Sequence, residues 1–162
     1  MSVLLLLLVA GMAWFLIAPG QRFLPRFATL LEAPRLQRGV RSFLFGRSYL
    51  TGRYKGREVV VRLHMSRHEH ELGYLVIAVR TAGGSTLDNS GIESHTHDDQ
   101  GKRALFSIAR QDLLLTVEHG WLKALWRPVG FVIFPGRFSE EKWREVLDSL
   151  HTVASSLDAS GR

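Results

Sequence analysis

The chain reads as an α+β protein held to a membrane by an N-terminal transmembrane helix. Three observations predict this. Met1–Ala18 is a charge-free apolar run, a series of short β-patterned stretches lies between Arg47 and Phe134, and a strongly amphipathic stretch follows Ser139. The expected order is a span, a mainly antiparallel sheet of about seven strands, and one C-terminal amphipathic helix covering the sheet.

The apolar run has two usual readings, a membrane span or a cleaved signal. No Lys or Arg precedes Val3, and Leu16, Ile17 and Ala18 before Pro19 make a poor cleavage pattern. A helix of that length covers roughly 27 Å, close to the thickness of a hydrocarbon core. A retained anchor over residues 1–20 is therefore expected.

Charge gives the orientation. Ten basic residues lie between Gln21 and Arg62, opposed only by Glu32 and Glu58. Residues 63–162 hold eleven basic and thirteen acidic side chains, so the whole excess of positive charge sits beside the span. Lys and Arg flank the cytoplasmic ends of spans, which puts the N-terminus outside and the main domain on the cytoplasmic side. The cluster would also attract anionic headgroups. Nucleic acid would be drawn by the same charge, but the position beside a span makes the lipid bilayer the simpler partner. Arg22, Arg26, Arg35, Arg38 and Arg41 are the candidate contacts to headgroups or to an acidic protein partner.

Residues 21–46 form the juxtamembrane segment and connector. Phe23, Phe27, Leu30 and Leu31 share one helical face with Arg22 and Arg26 among them, and Pro34 ends the pattern. That face suits either the headgroup layer or the surface of the domain. Residues 35–46 read as a basic connector broken by Gly39 and Gly46.

The main domain is expected over residues 47–158, with 159–162 as a tail. Arg47–Tyr54 and Arg57–Met65 flank Lys55-Gly56, a pair suited to a tight hairpin. Val59, Val61, Leu63 and Met65 alternate with Glu58, Val60, Arg62 and His64, the period of a half-buried strand. Tyr74–Arg80 is apolar on both faces and should be central. Thr81–Lys102 is rich in Gly, Ser, Asn and Asp and reads as a long mobile loop. Arg103–Ala109, Asp112–His119, Trp121–Trp126 and Val129–Phe134 are further strand candidates, with His119-Gly120 able to close a hairpin. Trp121–Trp126 also fits a helical turn.

Ser139 is a good N-cap, Glu140 and Glu141 suit the positive end of the helix dipole, and Phe138 with Trp143 matches a hydrophobic staple. Trp143, Val146, Leu147, Leu150, Val153, Ala154 and Leu157 mark one stripe of a helix from about Glu140 to about Leu157. In element order the chain resembles a pleckstrin-homology-type partial barrel capped by its terminal helix. A simpler antiparallel sheet with one covering helix fits the same elements.

The absence of cysteine excludes disulfides, thiolate catalysis and Cys-based zinc sites. No nucleophile elbow, phosphate loop or dinucleotide fingerprint occurs. Histidines are the conspicuous polar group. His68 and His70 lie in RHEHE, and His95 and His97 in SHTHDD. In extended backbone each pair would project to one face and could chelate a transition metal. Both stretches equally suit solvated loops, and protonation near pH 6 would let them sense acid. Trp121, Trp126 and Arg127 are the candidate protein-contact surface, since Trp and Arg are enriched at interface centres.

The expected function is non-enzymatic and uses no cofactor. A single-pass anchor would hold a partner-binding or accessory domain against the membrane, raising its effective concentration for a neighbour in a membrane protein complex. A lipid- or small-ligand-binding module and a metal-dependent enzyme built on the histidine stretches are the two alternatives.

Overall fold

The computed structural model describes residues 5, 7–8, 23–37, 49–64, 74–84, 86–126 and 139–160. They form an α+β unit: a six-stranded antiparallel open sheet with helices on one face. The elements in chain order are helix α1 (23–28) and strands β1 (Glu32–Gln37), β2 (Tyr49–Tyr54), β3 (Arg57–His64) and β4 (Tyr74–Arg80). Helices α2 (Asn89–His95) and α3 (Asp99–Ala109), strands β5 (Leu113–Glu118) and β6 (Trp121–Trp126), and helix α4 (Glu140–Ser160) follow. The strand order is β1-β2-β3-β4-β6-β5.

Both expected hairpins form. Lys55 and Gly56 have φ of 49° and 81°, and His119 and Gly120 have 52° and 76°. Two consecutive positive φ values are what a two-residue turn needs to match the twist of its strands. β4 lies inside the sheet between β3 and β6, as its two apolar faces predict.

Alternation sorts the side chains. Leu50, Val61, Ile77, Ala124 and Leu115 make one row across five strands, and all are buried. Val59, Val79, Leu122 and Val117 make the next. The stripe of α4 closes over this face, with Trp143, Val146, Leu147, Leu150, Val153 and Ala154 buried and Leu157 partly so. Ser139 accepts from the Lys142 N–H at 3.2 Å, which caps α4 as expected. Phe138 lies outside the described residues.

Several expectations are corrected. The sheet is open, not a partial barrel, because β1 and β5 are its two edges and do not pair with each other. The described strands number six. Arg103–Ala109 is not a strand but most of α3. Gly101, Ala104 and Ile108 fall on one helical face and are buried, a spacing that outweighs the local alternation. Thr81–Lys102 is not one long loop. Asp88 and Asp98 accept from the Gly91 and Gly101 N–H groups, each at 2.8 Å, and so start α2 and α3. One fully buried side chain, Ile92, ties α2 to the core.

The stretch after α1 is a strand, not a connector. Pro34 sits inside β1, where an edge strand tolerates a missing N–H. A register shift between Glu32 and Arg35, with Ala33 at φ 47°, accommodates it. The apolar face of α1 packs on the domain, with Phe23, Leu24 and Phe27 buried. Phe23 and Phe27 lie 5.4 and 5.8 Å from the Trp143 ring, and Trp126 lies 5.6 Å from it on the other side. Residues 23–37 thus share the core of the sheet.

Among the described residues no helix is long and apolar enough to cross a membrane. Of the expected anchor only residues 5, 7 and 8 are described. All three are helical, and Leu5, Leu7 and Leu8 are exposed. Val129–Phe134 also lies outside the described residues.

Candidate functional site

One sheet face is sealed by helices; among the described residues the other is not. Its side chains follow from the register. The row nearest the two hairpin turns carries Glu32, Arg53, Glu58, Arg80, Trp121 and Glu118. The next carries Arg35, Thr51, Val60, Ala78, Lys123 and Thr116. The third carries Gln37, Tyr49, Arg62, Val76, Leu125 and Leu114.

Charge is unevenly spread over these rows. Acidic residues all lie in the row at the hairpin turns, where they alternate with Arg53 and Arg80. The other two rows hold Arg35, Arg62 and Lys123 and no acid, although Lys123 reaches back to pair with Glu118. That pair and the Lys123 hydrogen bond hold the Glu118 carboxyl below its ordinary range. Rings support two of the cations: Arg62 lies 5.7 Å from the Tyr49 ring and Arg80 5.1 Å from the Trp121 ring. Val60, Val76, Ala78 and Leu125 make an apolar band between them. The result is a flat surface with an aliphatic middle, two aromatic edges and a positive excess toward β1–β3. Such a surface suits the side of another protein better than a small molecule, for which a concave site is the rule.

The expected contacts divide. Arg35 is on this face. Arg26 is exposed on α1, and Arg22, Arg38 and Arg41 lie outside the described residues. Trp121 is on the open face with Arg80. Trp126 points the other way, into the aromatic cluster around Trp143. Residues five apart on a strand must face opposite sides, so the two tryptophans do not share a surface. Arg127 lies outside the described residues. Reading the sequence for clusters missed Arg53, Arg62, Arg80 and Lys123. The signal was their period-two spacing opposite Val59, Val79 and Leu122.

The histidines are not brought together as an extended pair. His95 ends α2, with Nδ1 2.8 Å from the Gly91 carbonyl oxygen and 3.2 Å from the Ser94 hydroxyl, while His97 lies beyond the helix. His68 and His70 lie outside the described residues. Among the described residues no three His, Cys, Asp or Glu side chains are grouped to hold a metal.

A second polar region lies where the β2–β3 hairpin meets α4. Tyr54 donates to Asp148 at 2.8 Å, Lys55 pairs with the same carboxylate at 2.5 Å, and Arg57 pairs with Asp158 at 2.6 Å. Burial, then the hydrogen bond to Asp148, pushes the Tyr54 phenol up to about 12. Burial alone would raise Asp148, but the Lys55 and Tyr54 hydrogen bonds outweigh it and hold the carboxyl low. Burial, then the charges of Arg57 and Lys55, lowers the nearby His151, whose Nδ1 is buried without a hydrogen-bond partner.

Beside it is a shallow groove of about 640 Å³ lined by His97, Asp98, His151 and Ser155 among others. It offers no activated nucleophile. Asp98 is occupied by the Gly101 N–H and the Ser156 hydroxyl, which together hold its carboxyl below the ordinary range. Ser155 donates to the His151 main-chain oxygen at 2.8 Å and not to an imidazole. These contacts lock α4 to the sheet and to the start of α3.

Fold and surface together define a class: an α+β protein whose antiparallel sheet is sealed on one face and open on the other. Beyond that class, the chain matches no family model, no curated protein and no solved structure.

Proposed function

We propose that this is a non-enzymatic, single-pass membrane protein whose domain on the cytoplasmic side docks a partner protein through its open sheet face. The observation that carries the reading is the asymmetry of the sheet. A face with Val60, Val76, Ala78 and Leu125 at its middle and Arg35, Arg62 and Lys123 around them has no cover among the described residues. The charge-free run Met1–Ala18 and the basic residues that follow it support the anchor and its orientation. The partner surface is then apolar at its centre with acidic groups toward β1–β3, and it belongs to a neighbour in the same membrane.

The test uses the full chain in its own membranes. Protease added to sealed and to opened vesicles should cut the domain only from the cytoplasmic side, with Met1–Ala18 retained. In mild detergent, a protein that co-purifies at fixed ratio should be lost from the Arg62→Glu/Lys123→Glu variant and kept by Arg144→Glu on α4. Cleavage from the opposite side would refute the orientation. Equal co-purification with all three chains would refute the docking face.

A further inference from the structure

The strand register sorts the connecting segments into two groups, one at each end of the sheet. Gln37 pairs with Tyr49, His64 with Tyr74, and Trp126 lies beside both Leu75 and Leu113. The stretches 38–48, 65–73, 110–112 and 127–138 therefore all join the sheet at one end. The chain enters there too, since Phe23 meets Trp143 beside Trp126. At the other end are 55–56, 81–88 and 119–120, with 96–98 near the end of α4, where Ser160 reaches His95.

The two ends differ in chemistry. The four stretches at the entry end contain seven basic and three acidic residues and five phenylalanines. Those at the far end contain Lys55 against Asp88 and Asp98, with no aromatic residue. The described side chains repeat the contrast. The large apolar side chains left exposed in the domain are Phe106, 66 % exposed, and Leu114, 54 % exposed. Both belong to the entry end: Phe106 is one turn before the close of α3, and Leu114 is in the row farthest from the hairpin turns. Arg110 lies 6.0 Å from the Phe106 ring, a cation beside an exposed aromatic group.

We infer that the domain stands on an anionic lipid surface by this end, with Phe106 and Leu114 at the headgroup boundary and Arg110 among the phosphates. The inference deepens the anchored reading above and rests on it. Phenylalanine and leucine side chains gain by leaving water at the headgroup boundary, and arginine pairs with lipid phosphate. The attraction of basic groups to an anionic surface decays within a Debye length, so only the end beside the anchor feels it fully. The strands then run away from the membrane, and the open sheet face looks sideways, toward a neighbour in the same membrane.

A chain without cysteine can carry one thiol label at a time. Phe106→Cys and Leu114→Cys at the entry end, and Gly84→Cys and Glu93→Cys at the far end, are each labelled with a fluorophore in the full chain. Each is reconstituted in phosphatidylcholine vesicles, with or without phosphatidylglycerol, containing a lipid with a quencher on its headgroup. The expected result is severalfold stronger quenching at positions 106 and 114 than at 84 and 93, increased by phosphatidylglycerol and reduced by salt. Equal quenching at both ends, or stronger quenching at 84 and 93, in chains that float with the vesicles after an alkaline wash, overturns the orientation and leaves the anchor standing. Chains that leave the vesicles in that wash overturn the anchor itself, and the orientation with it.

Discussion

Tyr54 and Asp148, ninety-four positions apart, share a 2.8 Å hydrogen bond that ties the β2–β3 hairpin to α4. The phenol donates and the carboxylate accepts, while Lys55 holds the same carboxylate from the turn. Removing the phenol oxygen in Tyr54→Phe should cost about 1 kcal/mol, because Lys55 remains to satisfy Asp148. Urea unfolding of the full chain in detergent would check it. A Tyr54→Phe/Asp148→Ala double variant no worse than Asp148→Ala would locate the loss in this pair.

Tyr54 also sets a limit at high pH. Its phenol is raised from 10.0 to about 12 in the folded chain, so its contribution is complete below pH 10 and is lost as pH rises toward 12. Thermal unfolding across that interval should fall more steeply for the native chain than for Tyr54→Phe.

His151 sets the opposite limit. Its folded form titrates below the ordinary 6.5, chiefly from burial and also from Arg57 and Lys55, with Asp148 opposing. The unfolded chain therefore takes up a proton first, and stability present above pH 6.5 declines as pH falls through the folded value. His151→Gln should flatten that part of the stability profile. Superimposable profiles for the two chains between pH 6.5 and 5 would contradict the assignment.

Gly52 lets the chain from α1 to β1 lie on the sheet. A Cβ there would sit 2.9 Å from the Leu31 Cβ and 3.2 Å from the Glu32 carbonyl oxygen. Gly52→Ala should cost about 1–3 kcal/mol through forced displacement of that segment. At Gly84 a Cβ would meet nothing within 4 Å, so Gly84→Ala serves as the neutral control.

Trp143 joins the entering chain to the sheet through Phe23, Phe27 and Trp126. Trp143→Ala should cost about 3–5 kcal/mol. Hydrogen exchange should show α1 and the end of β6 losing protection before β3. Uniform loss of protection across the sheet would instead mean that α1 is not a separable layer.

Local chemistry made part of this fold readable. The two hairpins follow from Lys55-Gly56 and His119-Gly120, where a backbone with two positive φ values is needed whatever lies around it. Helix α4 follows from a stripe repeated over several turns behind a Ser139 cap, and β3 and β4 from the alternation of Val, Ile and Leu. Each is a property of neighbours along the chain. Helices α2 and α3 were hidden because their polar sequence buries little, and what holds them is two Asp caps and contacts from Ile92, Ala104 and Ile108 to distant elements.

The sequence by itself determined the apolar entry run, the basic stretch after it, the hairpin turns and the terminal helix. Only tertiary structure decided that 32–37 is an edge strand, that the sheet stays open, and that Trp121 and Trp126 face opposite sides. It also gathered Arg35, Arg62 and Lys123 onto one surface from three separate strands. The physical reason is range. Turn geometry and periodicity are set within a few residues, whereas pairing partners and shared faces depend on hydrogen bonds and burial between segments far apart in the chain.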